Sequence, residues 1–231
     1  MTDNNVINRI QSARILLRKY GGRLRSKRFL WHQVVNSDYS GKIGLTIVYN
    51  MKNNVVYGTS RDTIPRELLE LPVDKFTKGL IMWGAISSRA LIPKDGPIFI
   101  DEFLDEYQWD RNKKRTLNGQ RYIDLLQERI IPSIEQIYPN NDYIYQDDCD
   151  SIHHSKDVLE FIEKNISDRI MPMESVWSII RTKLMKKDYQ DLSHVKTEIM
   201  KIWKNFDISL CFRMMSSIPK RLQAVIKQDG R

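Results

Sequence analysis

Apolar residues recur at helical spacing from Val6 to Tyr20 through Ile10, Ala13 and Leu17, and Gly21-Gly22 follows, so a helix over Val6–Tyr20 is predicted. Phe29 to Val35 is an apolar run that reads as a strand entering at Asp38, with a turn signal at Ser40-Gly41. The β-branched and aromatic runs Ile43–Tyr49 and Asn54–Tyr57, split by Asn50–Asn53, predict a hairpin. Thr59 to Lys75, with Pro65 and Pro72, reads as a polar loop. Gly79–Ile86 is nearly all apolar, the pattern of a central strand covered on both faces. Ala90–Pro93 and Pro97–Ile100 continue a sheet, and the charged stretch Asp101–Thr116 reads as a surface loop.

Further on, Tyr122, Leu125, Leu126, Ile130 and Ile134 mark a long helix within Asn118–Tyr138. Tyr143–Gln146 is a short strand running into Asp147-Asp148, and Ser155–Asn165 is a helix with Ser155 placed to cap it. The last third is helical. One stripe holds Met173, Val176, Trp177, Ile180 and Leu184, and a second holds Leu192, Val195, Ile199, Ile202 and Phe206. A third runs from Leu210 to Ile226 and is interrupted by Pro219. Strands first, then a mixed middle, then helices predict an α/β or α+β layered domain.

Composition narrows the class. The 231 residues are 41% hydrophobic and 29% charged, a globular balance, and no run of about 18 apolar residues is present to span a bilayer. Two cysteines, Cys149 and Cys211, are too few for a disulfide framework or a cysteine-rich zinc site, and fit a reducing intracellular compartment. The net charge of +8 is unevenly spread. Arg9, Arg14, Arg18, Lys19, Arg23, Arg25, Lys27 and Arg28 face a single acid, Asp3, before position 32, and residues 181–231 are also basic. The centre, 32–180, is acidic. Basic ends suit a polyanion such as nucleic acid, and an acidic centre can hold carboxylates that bind metal.

Three acids stand out by position. Asp38 and the Asp147-Asp148 pair follow predicted strands, and Glu174 opens an amphipathic helix. Carboxylates converging there would bind hard divalent cations such as Mg²⁺, while each acid taken alone could equally be a turn or first-turn residue. His153-His154 lacks Cys or His partners at zinc-ligand spacing.

Several motifs then fall in order. Val34-Val-Asn-Ser-Asp38, Leu80-Ile-Met-Trp-Gly-Ala-Ile-Ser87, Leu117-Asn-Gly-Gln-Arg-Tyr-Ile-Asp124, Tyr143-Ile-Tyr-Gln-Asp-Asp148 with His153, Pro172-Met-Glu-Ser-Val-Trp177 and Ser216–Ile226 follow one another along the chain. Together they resemble the catalytic domain of transposases of the mariner superfamily, which carry an acidic triad on a ribonuclease-H-like fold. The resemblance implies a ribonuclease-H-like mixed sheet flanked by helices, with a basic helical segment at 1–28 and the catalytic domain over 29–231. It implies Asp38, Asp148 and Glu174 as catalytic residues and as ligands of two Mg²⁺ (or Mn²⁺) ions, with Asp147 the alternative second ligand. It further implies DNA as partner, cleavage and strand transfer as the activity, a homodimer, and a nuclear location. His153 falls on the family's histidine near the acidic site.

Two departures accompany the match. Glu174 lies 26 positions after Asp148, a spacing about nine residues shorter than the family's, so the family's strand in that stretch is expected to be missing, with Ile166–Met171 as the bridge. The paired helix-turn-helix region that precedes the family's domain has no counterpart. Nonspecific phosphate contact is therefore expected rather than recognition of transposon ends. A non-catalytic remnant that holds DNA through its basic ends is the alternative function.

Overall fold

The computed structural model describes residues 3–24, 29–45, 58–65, 78–106, 116–147, 150–166, 168–170, 177–185, 187 and 189–230. Among the described residues a six-stranded mixed sheet lies at the centre, formed by β1 (Val34–Tyr39), β2 (Met82–Ile86), β3 (Leu91–Ile92), β4 (Ile98–Phe99), β5 (Ile144–Gln146) and β6 (Arg169–Ile170). The order is β3-β2-β1-β5-β6, with β4 also paired to β2. β1 runs antiparallel to β2 and parallel to β5, and β5 runs parallel to β6.

Strand alternation divides the core in two. Val34, Met82, Ile86 and Ile144 face helices α1 (Asp3–Tyr20), α6 (Trp177–Leu184), α7 (Leu192–Lys204) and α8 (Ile208–Lys227). Val35, Trp83, Ala85 and Tyr145 face α2 (Ile100–Asp105), α3 (Gly119–Leu125) and α5 (Lys156–Asn165). Between α3 and α4 (Ile131–Glu135) the chain makes one π turn, Leu126–Ile130, with Pro132 in the first turn of α4. β2 is buried along its whole length, as its apolar run predicts.

Several expectations need correction. The strand predicted from Phe29 begins only at Val34, because the Leu30 N–H bonds the Tyr20 carbonyl and Trp31 Nε1 bonds the Gly21 carbonyl at 2.7 Å. These aromatic residues pack on the end of α1 instead of joining the sheet. Gly21 takes φ 90°, a left-handed turn that ends α1. Asp101 to Asp105 is not a loop but belongs to α2, which buries Phe103 and Leu104 and turns its acids outward. Pro219 does not interrupt the last helix, because burial of Ile218, Pro219 and Leu222 offsets one missing backbone bond. Ser155 stands at the N-cap of α5, yet its hydroxyl donates to the Ile152 carbonyl.

Most consequential is β6. A short edge strand stands where none was expected, pairing Arg169 with Tyr145 and Ile170 with Gln146. The predicted hairpin falls mainly on 46–57, outside the described residues; of its first run, Ile43 bridges Leu80. α1 is built into the main core through Ala13 and Tyr20, and it packs along α8. No helix among the described residues is long and apolar enough to cross a membrane.

Candidate active site

Asp38 is the next-to-last residue of the central strand β1, opposite Gly84 of β2. Its side chain lines a narrow hollow with Asn36, Gly84, Ile86, Trp177 and Trp203. One carboxylate oxygen accepts the Tyr39 N–H at 2.9 Å, and the residue is half-buried at the strand end. The floor is aromatic. Trp177, the first residue of α6, and Trp203, near the end of α7, have ring centroids 5.8 Å apart. Trp203 Nε1 donates to the Pro93 carbonyl at 2.7 Å. Gly84 is required for this arrangement, since a Cβ there would sit 2.4 Å from the Trp203 ring and 3.2 Å from Trp177.

Asp38 is also held from the following turn. The Ser40 N–H donates to the Met82 carbonyl at 2.9 Å, and the Met82 N–H to the Ser40 hydroxyl at 3.0 Å. From α6, one turn beyond Trp177, the Arg181 guanidinium donates to the Ser40 carbonyl. Strand end and helix start are thus tied together on one face.

The opposite face is sealed. Asp147 is fully buried, with an oxygen 3.9 Å from His153 Nδ1. The His153 ring stacks on Tyr122 at 4.3 Å and lies 5.9 Å from Tyr39. Tyr122 Oη is 3.3 Å from Tyr145 Oη, which in turn is 3.1 Å from Ser37 Oγ. Burial first, and the neighbouring Tyr145 next, push the Tyr122 hydroxyl pKa well above its ordinary value. Asp147 and His153 therefore belong to a packed polar network under β1, alongside Ser37 and Tyr39.

Of the three predicted ligands, Asp38 is described, while Asp148 and Glu174 lie outside the described residues, as does Cys149. Among the described residues no group of three or more Asp, Glu, His or Cys could hold a metal ion. Gly84, one letter of an apolar motif, and Trp203, one member of an apolar stripe, are site-building residues whose part at the site the apolar pattern does not mark. A glycine inside an apolar strand is the signal that marks a close approach.

No family model matches the chain, and no curated protein sequence matches it. Solved structures do. The catalytic domain of Mos1 mariner transposase superposes with a TM-score of 0.66 at 14% identity, covering all of this chain and 96% of that one. The Mos1 paired-end complex with the left transposon end gives a TM-score of 0.68 at 16% identity, and a paired-end complex with Mn gives 0.68 at 15%. This chain spans 64% of the Mos1 chains in those complexes. The chain has the ribonuclease-H-like fold of the Mos1 transposase catalytic domain.

Proposed function

We propose that this chain is a DNA endonuclease and strand-transferase of the DDE type, with Asp38, Asp148 and Glu174 as its acidic triad. The observation that carries the proposal is Asp38, opening at the end of the central strand onto a hollow floored by the first residue of α6. Glu174 precedes that residue by three positions.

The choice of Asp148 over Asp147 rests on alternation. Asp147 is committed to the His153 side. By the two-residue period of a strand, a ligand sharing Asp38's face comes one position later.

The short connection to Glu174 is compatible with a triad. β1, β5 and β6 run parallel and leave the sheet at one end. Position 174 is four residues from Ile170 and three from Trp177, reaches of at most about 14 and 11 Å. Both anchors border the end of the sheet that carries Asp38.

Carboxylate oxygens, one of them on a half-exposed side chain at a hollow's edge, suit hard divalent cations. Mg²⁺ or Mn²⁺ bound there would supply charge neutralisation at the attacking and leaving oxygens of a phosphodiester. The chain's own part is to place the ligands and hold the DNA. Arg9, Arg14 and Arg18 on α1 and Lys220, Arg221 and Lys227 on the adjoining α8 are exposed to meet phosphates. The likeness to Mos1 complexes with transposon ends supports DNA as the partner; a homodimer working in the nucleus belongs to the same proposal.

Plasmid nicking tests it. Purified protein with Mg²⁺ or Mn²⁺ should convert supercoiled plasmid to open circle, and Asp38→Ala and Asp148→Ala should each abolish the conversion. Nicking that persists in both variants sinks the proposal. Salt-sensitive DNA binding with no nicking by the parent protein would instead mean the non-catalytic reading.

A further inference from the structure

The chain leaves the sheet for Glu174 through β6, and β6 is only two residues long. A two-residue edge strand holds its position poorly by ladder bonds alone. The residue just before it, Asp168, is gripped from two sides. Its carbonyl accepts the Tyr145 N–H at 2.9 Å, which fixes it to β5. Its carboxylate lies 2.8 Å from Lys19 Nζ and accepts from the Tyr20 hydroxyl at 3.2 Å.

Both partners end α1, which lies 148 positions away in sequence from Asp168. Tyr20 is itself immobilised. It is 1% exposed, its ring meets Trp31 edge-on at 5.5 Å, and it sits in the main core. The Lys19 contact is largely in water and contributes little by itself. Tyr20 is the rigid half of the grip.

We infer that the α1 end, through Tyr20 and Lys19, braces Asp168, and that this brace fixes where the shortened connection departs toward Glu174. Asp168, Tyr20 and Lys19 are positioning residues that set the geometry of the third ligand; the inference rests on the proposed acidic triad. It gives the basic N-terminal helix a role apart from holding DNA. A ligand displaced by about 1 Å can lose about 100-fold in rate, so a modest loosening is readable.

The test uses the full chain and four readouts: Mn²⁺ binding followed by electron paramagnetic resonance without DNA, the nicking rate at saturating DNA, DNA affinity, and the thermal midpoint. Asp168→Ala should weaken Mn²⁺ binding and slow nicking, each about tenfold, with DNA affinity unchanged. Lys19→Ala combined with Tyr20→Phe keeps the buried ring and should reproduce both losses. Adding Asp168→Ala to that pair should cost nothing more, because the same brace is already gone. If Asp168→Ala fails to fold, the Lys19→Ala, Tyr20→Phe protein carries the test alone.

Wild-type Mn²⁺ affinity and nicking in that double variant overturn the inference, provided that Asp38→Ala has lost both. A parent protein that neither binds Mn²⁺ nor nicks, or an Asp38→Ala protein that does both, defeats the proposed triad itself and the brace with it.

Discussion

The two faces of β1 treat their polar residues in opposite ways. On one, Asp38 is half-exposed beside a hollow whose floor is two tryptophans and whose wall is a glycine. On the other, Ser37, Tyr145, Tyr122, His153 and Asp147 are buried together and partnered with one another. The ligand role proposed for Asp38 needs a carboxylate that solvent and a cation can reach, and burial among tyrosines would remove that access. The sealed face rigidifies the strand from beneath so that the open face can be exact in position without being closed to solvent.

That contrast is broken most severely by exchanging the roles of adjacent acids. Asp148→Asn should lower metal-dependent nicking by about 1000-fold or more, as expected for loss of a group acting directly at the reacting centre. Asp147→Asn keeps the shape of a buried side chain and should leave the nicking rate within about tenfold while lowering the thermal midpoint. Nicking and thermal melts on the two purified variants decide it. The reverse pattern would move the second ligand to Asp147.

Next in size is His153→Ala. It removes a ring stacked on Tyr122 and leaves a void beside a buried carboxylate, a loss of about 2–4 kcal/mol in stability. Nicking at a temperature where the variant is folded should stay within a few-fold of the parent. Denaturant melts measure the first quantity, and a variant as stable as the parent would show that the network does not support the strand. On the open face, Gly84→Ala pushes a methyl to 2.4 Å from the Trp203 ring, and overpacking of this kind costs about 1–3 kcal/mol. Because Asp38 lies opposite Gly84, this change should also slow nicking, unlike His153→Ala. A proportionate drop in stability with no change in rate would separate the tryptophan floor from the site.

Elements defined by their own pattern were readable in the chain. α1, β2, the α3–α4 helix and α7 follow from apolar spacing, and the motif order around Asp38 and Trp177 foretold the ribonuclease-H-like fold. Elements defined by distant partners were not. β6 exists because Tyr145 and Asp168 meet across the sheet, and two residues carry no periodicity. The Phe29–Gln33 stretch looks like a strand, but its Leu30 N–H bonds the last residue of α1, its Gln33 N–H closes a local turn on Leu30, and Phe29 and Trp31 pack in the same core as Tyr20. The acids of α2 masked Phe103 and Leu104, two of the three residues it buries. The same limit applied at the site. Asp147 and Asp148 are equivalent as letters, and only the position of His153 beneath β1 tells which face Asp147 has taken.

The smallest effect on function is expected at Cys211, deep in the helical layer of the open face. Burial pushes its thiol pKa up to about 11. At pH 8 about one molecule in a thousand carries the reactive thiolate, so a disulfide reagent should modify Cys211 at least about 100-fold more slowly in the native state than in denaturant. The measurement is best made in a Cys149→Ser protein, so that one thiol is counted. The raised native pKa also fixes the sign of a pH effect. The folded form holds this proton more tightly than the unfolded form, so the contribution to stability is complete below pH 9 and is lost as pH rises toward 11. Cys211→Ala should flatten that alkaline decline while leaving nicking unchanged. Rapid labelling of the native protein at pH 8 would mean that α8 opens locally, and it would place the weak point of the open face in its helices rather than at Asp38.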